Sequence, residues 1–469
     1  MSYKIVAKQP SILWSDINEI NDRIDAKYYH CDYMVFNIKN YGEFEIKSLK
    51  QCVNFFETGV SNFNDGNIKL KRLKTSNIQN GFILYQDLTD CVVPERDKKK
   101  ILCKGDVVLT TYGTGSIGKV AYVNFDTQII PDYTIAILRT KKTIDSGYLA
   151  SFLGSIYGKQ QIMRRVIGTS GITLVIKPHL IDIQIPIPSP EIQKYIGDKV
   201  RRAEELREEA KKLKKEAEGI IYKELNFGSL EDKLKIINNK YTWVGLHNLG
   251  IRIDSKYYNE KVLRIKDYFN KHYETIKLKE CLQYCSRGKS FAESSEDGII
   301  LIKTKNLNNS FINYERNFVY EKEVNNNLIL KEKDLIFASM GVGSLGKIDM
   351  YYPSEEKATI DGTLMLLRFK SDSKLKPEYV MEFLRTHIGQ KLIYQNVVGS
   401  TGIISISVDD LINIDIPYID DEKQEKISNF TNKYLTDIYA SKRLIQEAKQ
   451  DVEDLIEGNF DMSKIKAHS

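Results

Sequence analysis

"TYGTGSIGKV" (Thr111–Val120) and, much later in the chain, "GVGSLGKI" (Gly341–Ile348) are two copies of one glycine-rich segment. Gly113, Gly115, Ser116, Gly118 and Lys119 return as Gly341, Gly343, Ser344, Gly346 and Lys347, each pair 228 positions apart. Taken singly, the segment approaches the phosphate-cradling loop of nucleotide-binding enzymes. That loop needs glycine-freed N–H groups, a Lys on the phosphates and a Ser or Thr for Mg²⁺. The metal position is Val120 in one copy and Ile348 in the other, and neither can ligate a cation. A phosphate loop also opens a helix, whereas "VAYVNFDTQII" (120–130) has the β-branched and aromatic content of a strand. The nucleotide reading is set aside, and the repetition becomes the fact to explain.

It extends along the chain. "RIDAKYY" (23–29) returns as "RIDSKYY" (252–258), "LKTSNI" (73–78) as "IKTKNL" (302–307), "GTSGI" (168–172) as "GSTGI" (399–403), and "DIQIPIP" (182–188) as "NIDIPYI" (413–419). The offsets stay between 228 and 231, far above the roughly 20–50 residues of a solenoid repeat. Whole domains are duplicated, and 469 residues leave room for two of them with connectors.

Each copy divides in two. The first part has short strand-like runs such as "DVVLTTY" and "YTIAILR". It closes on a helical pattern, "GYLASFLGSIYGKQQIMRRVIG" answered by "EYVMEFLRTHIGQKLIYQNVVG", and the break "PIPSP" ends the first domain. The second part is a long helix. Ala203, Leu206, Ala210, Leu213, Ala217 and Ile220 alternate spacings of three and four, the seam of a coiled coil. Ile427, Phe430, Tyr434, Ile438, Leu444, Ala448, Val452 and Leu455 form a less regular stripe of the same kind. One such helix spans about 50 Å. The expected fold is α+β: mixed strand and helix domains at 1–190 and 226–420, long helices at 191–225 and 421–460, and a tail at 461–469. The helices are expected to pair as an antiparallel coiled coil, giving a pseudo-twofold tandem duplication with a globular domain at each end.

Hydrophobic residues make up 42% and charged residues 28%, as in globular domains. The opening "MSYKIVAKQPSILW" lacks the apolar run of a signal peptide, and no stretch approaches a membrane span. A cytoplasmic location is expected. The six cysteines (31, 52, 91, 103, 281 and 285) do not repeat with the unit, so reduced thiols are expected rather than a disulfide framework. No C-x-x-C and only six scattered His residues leave no metal site. The net charge of +6 is modest, but positive residues cluster: Lys69, Lys71, Arg72 and Lys74; Lys98 to Lys100; Arg139, Lys141 and Lys142; Arg164 and Arg165; and, in the second copy, Arg287, Lys289, Lys303 and Lys305. Their recurrence beside the same motifs favours phosphate neutralisation over a merely solvated surface.

The order domain–helix–domain–helix, the "GDVVLTTYGTGSIGKVAYV" segment found twice and the "EIQKYIGDKV" lead into the helix resemble the specificity subunit of type I restriction-modification enzymes. The resemblance covers essentially the whole chain. It implies two target recognition domains, each reading one half of a bipartite, asymmetric double-stranded DNA site. It further implies helices that set the half-site separation and dock two adenine-N6 methyltransferase subunits, with two restriction/translocase subunits joining them. All catalysis would then belong to the partners, which use S-adenosylmethionine, ATP and Mg²⁺, and this chain would hold no cofactor and no catalytic residue. The sequence agrees, having no [DN]-P-P-[FYW] base-pocket motif. Pro131-Asp132 could pair with Glu231-Asp232-Lys233 as a nuclease-like set, but the intervening helix makes convergence on one metal improbable. The same architecture in another modification system, or a coiled-coil scaffold without DNA, are the other readings.

Candidate DNA-binding residues follow. Gly113, Thr114, Gly115 and Ser116, with Gly341, Gly343 and Ser344, lack bulk and let backbone N–H groups approach phosphate; a tight turn demanded by the fold would use the same glycines. Lys119 and Lys347 add charge, and Tyr112 adjoins the first loop. Lys71, Arg72, Lys74, Thr75, Ser76 and Asn77, with Lys303, Thr304, Lys305 and Asn306, can contact phosphates or base edges. Thr169, Ser170, Ser400 and Thr401 in the second glycine turn are weaker candidates. Tyr28, Tyr29, Tyr257 and Tyr258 are read as packing or partner-docking residues.

Overall fold

The computed structural model describes residues 28, 44–79, 81–85, 88–168, 173–237, 242–245, 252, 254–294, 298–314, 317–352, 357–399, 402 and 404–466. The chain divides into two compact units, Met1–Arg207 with Tyr439–Ser469, and Glu208–Ile438.

In the first unit the strands of the two larger sheets are β1 (Val53–Thr58), β2 (Ile68–Leu73), β3 (Thr89–Val93), β4 (Val107–Thr110), β5 (Val120–Tyr122), β6 (Ile129–Pro131) and β7 (Ile135–Thr140). One antiparallel sheet has the order β1-β7-β4-β5. The other runs β3-β2-β6, with β2 antiparallel to β3 and parallel to β6. Strand β4, "VVLT", is buried at every position because both its faces are covered. Val107 and Leu109 point into a core with helical residues Tyr148, Leu149 and Phe152, while Val108 points the other way, toward Leu73 and Ile78.

The expected single helix after β7 is two: α1 (Ser146–Gly154) and α2 (Ile156–Arg164). Ser155 sits between them in extended conformation, and its hydroxyl accepts the N–H of Gly158. The apolar periodicity runs through the break and hides it. The side chain at 158 must be absent, since a Cβ there would lie 2.2 Å from the Phe152 carbonyl oxygen. After the strand Gln184–Ile187, α3 (Pro190–Glu224) runs for 35 residues.

The second unit repeats the plan. It contains α4 (Phe227–Lys235), α5 (Glu260–His272), β8 (Leu282–Arg287), β9 (Ile299–Ile302), β10 (Phe318–Val319), β11 (Leu335–Ala338), β12 (Ile348–Met350), β13 (Ala358–Ile360) and β14 (Leu364–Phe369). The order β8-β14-β11-β12 matches the first antiparallel sheet strand for strand. Strand β9 is again antiparallel to β10 and parallel to β13. Helices α6 (Pro377–Arg385) and α7 (His387–Gln395) break at Thr386, whose hydroxyl accepts the N–H of Gly389. The chain then enters α8 (Asp421–Glu457), 37 residues long. Mixed α+β units and two long helices are therefore present.

Within the first unit, the start of α3 packs against the end of α8. Ile192, Ile196, Val200 and Ala203 share a core with Ile445, Ala448, Val452 and Leu455. Lys199 pairs with Asp451 at 2.5 Å, and Tyr195 meets Phe460 edge-on, so the two segments run antiparallel. In the second unit Lys423, near the start of α8, pairs with Glu224 at the end of α3 at 3.5 Å. Of the predicted stripe, Leu213, Ile220, Phe430 and Leu444 are only half-buried and the remainder are buried. No helix among the described residues is long and apolar enough to cross a membrane. Five cysteines are free thiols; Cys31 lies outside the described residues.

Lys449 on α8 reaches under Gly154, where a Cβ would sit 2.9 Å from its Cε. Burial, with Lys159 and Arg207 adding repulsion, pushes its ammonium pKa down from 10.5 to about 8. At pH 7 both folded and unfolded chains hold this proton, so the cost of burying the charge is fully present. As pH rises from about 8 to 10.5 the folded state gives up the proton first, and stability climbs. Lys449→Met should stabilise the first unit by about 1–3 kcal/mol at pH 7 and remove that alkaline rise. Denaturant unfolding at pH 7 and pH 10 checks both.

Candidate nucleic-acid interface

The glycine segment is the turn of an antiparallel hairpin, β4–β5 in the first unit and β11–β12 in the second. It does not join a strand to a helix. Gly113, Gly115 and Gly118 have φ of 95°, 76° and 84°; Gly341, Gly343 and Gly346 have 98°, 77° and 90°. These are left-handed values that side chains resist. The loop is closed by its own backbone. Ser116 N–H donates to Gly113 O (2.9 Å), Gly118 N–H to Thr110 O (3.0 Å) and Gly113 N–H to Thr173 O (3.0 Å). The second copy uses the same bonds, Ser344 to Gly341 (3.2 Å), Gly346 to Ala338 (2.9 Å) and Gly341 to Ile404 (3.0 Å). Of the N–H groups expected at phosphate, those of Ser116 and Ser344 are thus engaged inside the turn, and those of Gly113 and Gly341 on the neighbouring segment. What faces solvent is the tip: Thr114 and Gly115 in one unit, Val342 and Gly343 in the other.

Two other motifs are fastened to this loop. Thr75 and Thr134 share a hydroxyl hydrogen bond of 2.8 Å, and Thr111 N–H donates to Thr134 O at 2.8 Å. Thr304 and Thr363 pair in the same way, and Ser339 N–H donates to Thr363 O at 3.0 Å. On the far side, Val175 N–H bonds Thr111 O, and Ile406 N–H bonds Ser339 O. The "KTSN" turn, the glycine loop, a D-x-T turn (132–134, 361–363) and the extended segments at 173–175 and 404–406 therefore meet at one edge in each unit.

Within that frame the predicted residues divide. Asn77 and Asn306 are buried, accepting the N–H groups of Lys74 (3.0 Å) and Lys303 (2.8 Å) respectively, and so hold the turn. Arg72 lies in an ion pair with buried Asp132 and over the ring of Phe63. Asp132, considered above as half of a nuclease-like pair, is thereby a turn residue. Ser76 and Lys305 are exposed, Lys74, Ser116, Lys119, Lys303, Ser344 and Lys347 are half-buried, and Lys71 pairs with Asp90 at 2.8 Å on the surface. Thr169, Ser170, Ser400 and Thr401 lie outside the described residues. So does Tyr29, whereas Tyr258 is buried. Tyr28 is likewise buried, with Arg164 stacked on its ring at 3.8 Å. Among the other basic residues, Arg139 is locked to Asp106 (2.8 Å), and its counterpart Arg368 to Asp334 (2.6 Å). Among the described residues no group of three or more His, Cys, Asp or Glu is placed to hold a metal ion.

Some edge residues escaped the sequence reading. Tyr133 is 45% exposed and its ring meets that of Tyr112 at 5.5 Å; Val342 is 68% exposed at the second tip. The signal for Tyr133 was the alignment of "PDYT" with "IDGT" (360–363), which the period of 229 supplies.

The chain matches the model of the type I restriction modification DNA specificity domain over residues 50–218. Among solved structures it is similar to the type I restriction-modification S subunit from M. genitalium, at 13% identity and a TM-score of 0.41, covering 90% of this chain and 97% of that one. It is also similar to the HsdS subunit from Thermoanaerobacter tengcongensis, at 14% identity and a TM-score of 0.27, covering 89% and 96%. No curated protein matches it. The matched span holds the first hairpin and its hydrogen-bonded edge, so residues 50–218 are similar to a type I restriction modification DNA specificity domain.

Proposed function

We propose that this chain is the DNA-reading subunit of a type I complex, recognising a bipartite, asymmetric site and docking methyltransferase and restriction subunits that carry the chemistry. S-adenosylmethionine, ATP and Mg²⁺ are then used by those partners. The observation that supports this best is one frame filled in two ways. Identical backbone bonds fix the glycine loop, the "KTSN" turn and the D-x-T turn in both units. The outward side chains differ, Tyr112, Thr114 and Tyr133 against Met340, Val342 and Gly362. A shared frame with different surfaces suits two readers of unlike half-sites. The long helices, about 50 Å each, pair as an antiparallel coiled coil in this proposal and fix the spacer between the half-sites.

Lys119 sits at the base of the first loop and suits a phosphate contact. Lys119→Ala should weaken duplex binding by a similar factor on every sequence and lower the slope of log K against log salt by about 1. Titration of the full chain with several duplexes at three salt concentrations reads both. ATP turnover by the purified chain, lost in Lys119→Ala, would restore the nucleotide loop and contradict the proposal.

A further inference from the structure

Three positions distinguish the two edges, and two of them (112/340 and 114/342) belong to a loop closed by the same backbone bonds in both units. In the first unit they carry Tyr112, Thr114 and Tyr133; in the second, Met340, Val342 and Gly362. The difference is largest at the tip. Val342 stands between two glycines in left-handed conformation and is 68% exposed. The turn is closed by backbone hydrogen bonds and leaves a branched apolar side chain facing water. A Cβ built on Gly343 meets nothing within 4 Å, so the tip projects clear of the fold. Lys347 lies at the base of the same loop and Lys305 on the exposed side of the "KTKN" turn, which places positive charge beside the apolar tip.

Resting on the DNA-reading proposal above, we infer that Val342 is a specificity-determining residue, whose methyl groups contact the C5-methyl of a thymine in the major groove of the second half-site. Apolar contact with that methyl is the one base-edge feature a valine can read. Thr114 at the equivalent tip offers a hydroxyl beside a single methyl, so it can also bond a base edge and the two half-sites can diverge at the position each tip touches. Tyr133 enlarges the first edge where Gly362 leaves the second open. Gly362 is not held in a left-handed conformation, and a Cβ there would make only ordinary contacts at 3.7 Å. Bulk at this position is thus a matter of surface rather than of fold.

The test uses the full chain, co-expressed with an adenine methyltransferase of its own genome, and reads the methylated motif by sequencing. Wild type should give a bipartite motif with thymine at one position of the second half-site. Val342→Thr should change the preference at that position by about fivefold or more while the first half-site and the thermal midpoint stay as they were. In a binding assay on that motif, deoxyuridine in place of the thymine removes only the methyl group. It should weaken wild type clearly more than Val342→Ala, which keeps only one methyl carbon for the contact. A bipartite wild-type motif with a second half-site unmoved by Val342→Thr, or an equal deoxyuridine effect on wild type and Val342→Ala, would overturn this inference and leave the DNA-reading proposal standing. A wild-type chain that directs no sequence-specific methylation would overturn both.

Discussion

Arg385→Leu should destabilise the second unit by about 3–5 kcal/mol, because it strands two buried carboxylates. The Arg385 guanidinium donates to Asp349 at 2.5 Å, to Glu382 at 2.7 Å and to the hydroxyl of Tyr434 at 2.6 Å. Asp349, Glu382 and Tyr434 are buried, and the Arg385 side chain is only 6% exposed. Burial opposes the charge, but Glu382, Tyr434 and Asp349 outweigh it and hold the guanidinium ionised beyond its ordinary range. The other oxygen of Asp349 accepts the N–H groups of Asn308 and Asn309 at 2.8 and 3.1 Å, so the cluster also ties α6 to the segment after the "KTKN" turn. Removing a charge together with its partner leaves less uncompensated charge. Arg385→Leu combined with Asp349→Ala should therefore cost clearly less than the sum of the single changes. Denaturant unfolding of the four variants of this cycle gives the coupling; strict additivity would mean that the cluster is not a unit. In the first unit the equivalent positions are Ala121, Ser151 and Gly154, and no such cluster forms there.

Gly158→Ala should destabilise the first unit by about 1–3 kcal/mol. By helix propensity alone the change would help, since alanine exceeds glycine by about 1 kcal/mol inside a helix. The contact decides the sign. The new Cβ would fall 2.2 Å from the Phe152 carbonyl oxygen and 2.6 Å from the Leu153 Cα, both backbone atoms that cannot rotate away. The Ser155 break between α1 and α2 must then open, and Tyr157, whose hydroxyl donates to Glu457 at 3.0 Å, moves with it. Gly389→Ala should act likewise in the second unit, where the corresponding distance to Phe383 O is 2.3 Å. Thermal unfolding of each variant measures the loss. A stabilised Gly158→Ala chain would show that the helix break tolerates a side chain.

Much of this was legible in the sequence because the repeated motifs supplied their own control. The glycine hairpin, the "KTSN" turn and the two long helices recur at offsets of 228 to 231, and each has the same local structure in both units. The breaks at Ser155 and Thr386 were not legible, since apolar residues keep helical spacing across them and only the cap hydroxyls and Gly158 or Gly389 mark the turn. The roles within the basic clusters were hidden too. Arg72 and Arg139 look like phosphate ligands until their partners Asp132 and Asp106, 60 and 33 residues away, are brought to them by the sheets. The Arg385 cluster left a fainter trace: Glu378, Glu382 and Arg385 repeat at four and three along a helix, a spacing that puts charge on one face, here buried.

The central claim is that one frame, used twice, reads two unlike half-sites. Its most direct test is single-molecule methylation sequencing of DNA from cells that express the full chain with its methyltransferase. The expected result is a single adenine-methylated motif made of two different short half-sites separated by an unspecified spacer, absent when this chain is omitted. A palindromic or uninterrupted motif, or the same motif without the chain, would contradict it.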